Sequence, residues 1–450
     1  MPATAIIVTN VIGSGVFLKA RVMTCNVGTP GLVLLAYAVA GIFTLAGALT
    51  FAELSTLMPR SGGHYNFIGA AFGRFWAFLF GWMETFIDGA GSSAALAIVF
   101  AIFFNDLTRG ALDPAESRLL VVGILFFVTV LNLATARANG LLASIVTGLK
   151  IALVVGIAAG GFLLSEGSWA NYTASGAAGA CAGVPVETRL GLAGFGAAVV
   201  GALWSFNGWA VVSFVAEEVR EPGRTLPRAL IGGTLLLIFL YLGINASYFY
   251  VLAPEAVAGV SESASVAGVA VSRFLGPAAA AVMASGLMLS SFGALHSNML
   301  TVPRVPFALA RDGLLPGWMG RISSRTHVPV NGVLVIGGAA VLFALSGTFD
   351  LLTDLIVFGL LLFNGLAVAS VFVLRRKFPD KHRPYRVWGY PFVPILFLIA
   401  TLYLMINTLV ATPGRALAGL AIIATGIPVY LYYARNAGPS QAKDFFRTDS

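Results

Sequence analysis

Three ionisable residues stand where ionisable residues are costly. Lys150 lies inside the apolar run 141–165, and Glu84 and Asp88 lie inside the run 71–105. A Lys deep in a membrane-spanning helix costs ~3 kcal/mol or more, so it is functional by default. Its ammonium offers two chemistries: a fixed positive charge that braces nearby backbone, or a group that carries protons. Glu84 and Asp88 are four residues apart, on one face of a helix. Together they read as a proton or selectivity site, against the plainer reading of satisfied hydrogen bonds between helices.

Backbone supplies a second kind of chemistry. Ile12-Gly13-Ser14-Gly15-Val16-Phe17 puts two glycines and a serine inside an apolar run that begins near Ala3. These are poor helix formers. A helix broken in lipid leaves polar groups without partners, which survives only where the break lines a cavity or meets a ligand. The N–H groups of Ser14, Gly15 and Val16 would open a new half-helix, a good seat for a carboxylate. The alternative is close helix packing through small residues. Trp204-Ser205-Phe206-Asn207-Gly208-Trp209 repeats the interruption later in the chain.

The elements that must hold these residues are membrane helices. The chain is 58% hydrophobic and 10% charged over 450 residues, far below the roughly 25% charged of soluble domains. The net charge of +8 does not imply nucleic acid, because the basic residues sit in short loops. Apolar runs of spanning length predict twelve spans, near 3–26, 31–57, 71–105, 119–136, 141–165, 192–217, 228–252, 277–302, 329–347, 350–374, 391–411 and 415–434. The run 71–105 is long enough to tilt strongly. Residues 166–191 read as an irregular loop, and 253–276 as a loop holding a short helical lid. Of the 27 Lys and Arg, most fall in the loops that are cytoplasmic if both termini are cytoplasmic. Span 6 is span 1 plus five, and five spans per half invert the second half. Paired breaks in corresponding segments point to a transporter's binding site.

These residues resemble the amino acid–polyamine–organocation transporters, and most of all the L-type amino acid transporter branch and its bacterial relatives. Besides 12–17, the segments are Ala52-Glu53-Leu54 with Pro59-Arg60-Ser61-Gly62-Gly63, and Gly208-Trp209 with Glu217-Glu218-Val219. Pro222-Gly223-Arg224-Thr225-Leu226-Pro227 follows, then Ser291-Phe292-Gly293-Ala294 with Arg311-Asp312-Gly313-Leu314-Leu315-Pro316. The resemblance covers spans 1 to about 10. It implies an all-α polytopic fold with a five-plus-five inverted repeat: spans 1–5 in 1–165, the loop 166–191, spans 6–10 in 192–376, spans 11–12 in 377–434, and a cytoplasmic tail 435–450. It implies an amino acid held between the two breaks. Ser14, Gly15 and Val16 would take its carboxylate, and the carbonyls of Val11, Trp204 and Asn207 its ammonium. Trp204 falls at an aromatic outer gate, and Asn207 where the side-chain pocket is tuned. Lys150 falls where sodium-coupled relatives bind a cation, near the Gly13 backbone and the hydroxyls of Ser290 and Ser291.

The expected function is a secondary active transporter moving neutral amino acids by sodium-independent exchange or proton-coupled uptake. A cationic amino acid or polyamine antiporter is the alternative, and a membrane amino acid sensor on the same fold is a third reading. No enzyme is expected, since no nucleotide loop, zinc motif or nucleophile–His pair stands out, and no cofactor or metal. Glu53, Glu217 and Glu218 read as ion-paired residues of an inner gate. His296 reads as a packed, hydrogen-bonded histidine, and 307–311 as part of a short interfacial helix. Cys25 and Cys181 cannot build a disulfide framework, and a bridge between them is not the favoured reading. Residues 105–118 contain no cysteine, so no covalent heavy-chain partner is expected. Arg outnumbers Lys and Ala and Gly abound, which suits a bacterial gene and an inner-membrane location. The chain has few residues before its first span, a departure from the family pattern.

Overall fold

A computed structural model describes residues 3–108, 110–134, 136–176, 181–261, 264–346 and 349–435. These residues are mainly helical in the expected spans. Span 1 is two helices, Ala3–Val11 and Gly15–Val27, bent by 45° at the Gly13-Ser14 break. Among the described residues nine helices are long and apolar enough to cross a membrane, and this bent pair makes a tenth. Pro277–Thr301 and Val330–Ser346 complete the expected twelve. The second of these is short for a span, at 17 residues. Residues 436–450 of the expected tail lie outside the described residues.

Local sequence explains the ends. Pro30 starts span 2 at Pro30–Leu57, and Thr29 accepts from the Leu32 N–H as its cap. Asp113 and Glu116 form a capping box at the start of span 4, Pro114–Leu131. Span 6 runs Gly191–Phe206, breaks at Asn207 and Gly208, and resumes as the tight helix Val211–Glu218. Gly208 has φ +94, a conformation that favours glycine.

Span 3 differs from a plain long helix. Gly73 separates it from a short helix His64–Phe72. The span then runs Arg74–Met83, a π-helical turn Glu84–Gly89, and Ala90–Leu107. The α-helical face shared by Glu84 and Asp88 is therefore replaced by a wider turn. Such turns occur often at functional sites.

Span 5 is Ala136–Leu164 and span 7 is Pro222–Val251. Span 1 packs against spans 5, 7 and 8, with span 2 against spans 6 and 7. The loop 166–191 holds two short turns, Trp169–Tyr172 and Val186–Thr188. The stretch 253–276 holds two short helices, Pro254–Ala258 and Val266–Leu275. Arg304–Arg311 is the expected short helix.

One expectation is overturned here. Cys25 and Cys181 are disulfide-bonded, 156 residues apart in sequence. The reason is packing rather than spacing. Residues 181–190 lie along the second half of span 1: Arg21 donates to the Ala182 carbonyl, Asn26 to that of Thr188, and the Leu190 N–H to that of Asn26.

Candidate functional site

The two breaks face each other across one cleft, partly open to solvent, with ≈ 410 Å³ of non-atom space in and around it. Span 1 gives it Asn10, Val11, Gly13, Ser14 and Gly15, and span 6 gives Trp204, Asn207, Gly208 and Val211. Span 3 contributes Asp88, Ser92 and Leu96, and span 8 contributes Asn298. Asp88, Ser92 and Leu96 are spaced i, i+4, i+8, one helical stripe.

The N–H groups of Ser14, Gly15 and Val16 make no hydrogen bond among the described residues. The Ser14 hydroxyl is buried without a partner. These are the orphan donors that open the second half of span 1. Val16 itself is buried and does not border the cleft, so its side of the turn points into packing. Val11 does border the cleft. Its carbonyl, however, already accepts from the Tyr241 hydroxyl at 3.0 Å and the Gly13 N–H at 2.8 Å. A carbonyl has two lone pairs, so this one has none left for an ammonium. The Trp204 carbonyl accepts from the Asn207 N–H at 3.0 Å.

Gly15 serves packing as well as space for a ligand. A Cβ there would lie 2.6 Å from Ser205 Cα and 2.6 Å from its Oγ. Spans 1 and 6 therefore touch backbone to backbone just beyond the cleft. The Tyr37 hydroxyl meets Ser205 Oγ at 3.3 Å from span 2. Both readings of the Gly13–Gly15 motif hold at once: a broken helix and a close small-residue contact.

Lys150 reaches the break from behind. It is 1% exposed, and Nζ donates to the Thr9 carbonyl at 2.7 Å and the Ile12 carbonyl at 2.5 Å. The Ser290 hydroxyl donates to the carbonyls of Ile12 and Gly13 at 3.2 and 3.4 Å. The ammonium thus sits on the last carbonyls of the first half of span 1, the negative end of that half-helix. Ser291 does not join it, because its hydroxyl donates to Met288 on its own helix. Gly293 makes the room: a Cβ there would lie 3.0 Å from Lys150 Cε and 2.2 Å from Val146 Cγ1.

The span 3 acids part company. Asp88 borders the cleft, and its Oδ1 accepts from Ser92 Oγ at 2.6 Å and Asn207 Nδ2 at 3.2 Å. Glu84 is buried and does not border it. Asn10 and Asn298, which sequence reading passed over, complete the polar wall. Asn10 Nδ2 lies 3.4 Å from Thr301 Oγ, and Asn298 donates to the Gly89 carbonyl at 2.9 Å and Ser93 Oγ at 3.0 Å. Isolated amides in apolar helices carry no distinguishing spacing, so only the fold brings them together.

Charge pairs close the arginine-rich end. Arg60 meets Asp312 at 2.9 Å, Arg304 meets Glu218 at 3.1 Å, and Arg311 meets Glu217 at 3.8 Å. Tyr65 donates to the other Asp312 oxygen at 2.7 Å. Glu53 holds Arg375 at 2.5 Å and Arg383 at 3.3 Å and accepts the Val387 N–H. Two partly open depressions lie beside these pairs, both bordered by Glu218 and Arg304. His296 is packed as expected: Nδ1 lies 3.0 Å from Asn132 Nδ2 and Nε2 lies 3.4 Å from the Asn139 carbonyl.

Known proteins match this chain along its length. The Amino acid permease family matches residues 2–432. The serine/threonine exchanger SteT of Bacillus subtilis is 28% identical over 432 residues, 95% of this chain and 94% of the relative. The human cystine/glutamate transporter is 30% identical over 435 residues, 95% of this chain and 83% of the relative. The mouse large neutral amino acids transporter small subunit 2 is 31% identical over 440 residues, 95% and 79%. These are transporters, not enzymes. The chain belongs to the amino acid permeases of the amino acid–polyamine–organocation superfamily.

Proposed function

We propose that this permease moves neutral amino acids by sodium-independent alternating access, as an exchanger or a proton-coupled carrier. The observation that carries the reading is the cleft between the two breaks with its orphan N–H groups. The carboxylate lies on the donors of Ser14 and Gly15, in the positive field of the second half of span 1. The ammonium lies toward the carbonyls of Trp204 and Asn207, with Trp204 as the aromatic wall. Val11 shapes the cleft through its side chain, since its carbonyl is filled.

Lys150 supports sodium independence. It places a positive charge on the carbonyls that a bound cation would otherwise use, and a second cation there is repelled. The Thr9 and Ile12 carbonyls hold that charge, Ser290 shares the Ile12 carbonyl, and Gly293 leaves it room, so spans 1, 5 and 8 meet there. The five-plus-five repeat is supported by the matching breaks in spans 1 and 6.

The disulfide supports the topology. Disulfides persist in oxidising compartments, and the bias of basic residues independently puts Cys25 and the loop 166–191 on the outer side. Both termini are then cytoplasmic, in a plasma membrane of bacterial type. With only two cysteines in the chain and both in the internal bridge, no thiol remains for a covalent partner subunit.

The test is uptake by reconstituted liposomes across a panel of amino acids and polyamines, with and without internal amino acid and a pH gradient. Replacing external sodium by choline leaves uptake unchanged on this reading. A steep sodium requirement removes the assignment of Lys150.

A further inference from the structure

The cleft has one polar feature that the carboxylate and ammonium sites leave unused. Asp88 Oδ1 is saturated by two donors, Ser92 Oγ and Asn207 Nδ2. Its Oδ2 makes no hydrogen bond among the described residues, and it is not one of the side-chain atoms sealed from solvent without a partner. The side chain borders the cleft and is 7% exposed. A carboxylate oxygen left in this way accepts strongly from any donor that reaches it.

The backbone is built to present it. The π-helical turn Glu84–Gly89 contains Asp88 and widens the helix at the head of the stripe Asp88, Ser92, Leu96. Glu84, on the far side of that turn, stays off the cleft. Asn207 then fixes the Asp88 carboxylate from the break of span 6, so one group links the two walls. The rest of the wall is mixed: Leu96, Val211 and Trp204 are apolar, and Asn298 spends its Nδ2 on Gly89 and Ser93. No second acid borders the cleft among the described residues. The arrangement fits a short side chain that is largely apolar and ends in one donor.

We propose that Asp88 is the specificity-determining residue, its free carboxylate oxygen accepting from the side-chain hydroxyl of a small neutral amino acid. Small hydroxyl amino acids, serine and threonine, are then taken in preference to alanine and valine. This rests on the cleft being the substrate site, and it deepens that reading by naming the side chain. Threonine and valine are the decisive pair, because they differ by a hydroxyl in place of a methyl.

The experiment measures both in competition with labelled serine, in liposomes containing the purified chain. Wild type favours threonine over valine by about tenfold or more, the ratio expected of one charge-assisted hydrogen bond. In Asp88→Ala the ratio falls toward one, whatever the absolute rate. If that variant does not transport, the same ratio is read from Trp fluorescence titrations of the detergent-purified protein. Glu84→Gln leaves the ratio where it was. Valine matching threonine in wild type, a ratio that survives Asp88→Ala, or one that collapses in Glu84→Gln overturns the proposal. So does arginine, lysine or putrescine outranking threonine, which would make Asp88 a partner for a cation. Failure of every amino acid to bind or exchange in wild type is a different result, and it overturns the transport reading itself.

Discussion

Removing the Lys150 ammonium takes a donor from two buried carbonyls, leaving Ile12 with the Ser290 hydroxyl and Thr9 without its side-chain partner. A buried acceptor left unpaired, as at Thr9, costs about 1–3 kcal/mol. The group does not border the cleft, so the loss falls on the hinge rather than on the ligand. Lys150→Ala is therefore expected to lower turnover by well over tenfold with substrate binding near wild type. Liposome exchange and ligand-induced thermal shift separate the two. Normal exchange would take Lys150 out of the mechanism. Gly293→Ala should act through the same site, because the new Cβ presses on Lys150 and Val146. Overpacking of that kind costs about 1–3 kcal/mol, read as a lower melting temperature together with slower exchange. Lys150 was legible from sequence because a charge in an apolar run has no neutral explanation. Its partners were only partly legible. Ser290 sits where expected, while the filled Val11 carbonyl depends on Tyr241 of span 7, which no local pattern announces.

At the scale of elements, breaks are easier to read than turns of unusual pitch. Gly13-Ser14-Gly15 and Asn207-Gly208 interrupt apolar runs with residues that helices disfavour, so both breaks are visible in the chain. The π turn of Glu84–Gly89 has no such mark, and the separation of Asp88 from Glu84 follows from it alone. The disulfide was illegible for another reason: two cysteines 156 residues apart give no spacing to read. It joins the second half of span 1 to the segment that runs into span 6 at Gly191. With the Arg21, Asn26 and Leu190 hydrogen bonds it makes one strap over both half-helices. Cys25→Ser with Cys181→Ser should lower stability by about 2–4 kcal/mol, within the usual range for removing a bridge. The check is a melting curve with and without reductant. Reductant should lower the wild-type midpoint to that of the double variant and leave the variant unmoved. Equal midpoints throughout would show that the strap holds without the bridge.

The whole molecule is closed at two ends by different chemistry. At the end away from the arginines, the proposed outer end, Gly15 packs on the Ser205 backbone, beside the Tyr37 hydroxyl. At the arginine-rich end, Asp312 binds Arg60 and Tyr65, so the loop after span 2 is held to the loop after span 8. Alternating access requires that these closures trade off, because a carrier open at both ends would leak. A substitution that prevents one closure must then shift the population toward opening at that end. Gly15→Leu cannot keep the outer contact, since even its Cβ would overlap Ser205. Asp312→Asn weakens the inner one. The two should move the molecule in opposite directions. A reporter at Leu96→Cys, in the cleft wall, placed in the Cys25→Ser, Cys181→Ser background, reads the direction. A membrane-impermeant maleimide added to intact cells should label it faster in Gly15→Leu and more slowly in Asp312→Asn than in the parent. Ligand binding in Gly15→Leu says nothing by itself, because a leucine there both fills the carboxylate seat and blocks closure. Only the labelling rate separates those effects. If both substitutions change it in the same direction, the two closures are not coupled, and Gly15 acts through the binding seat alone.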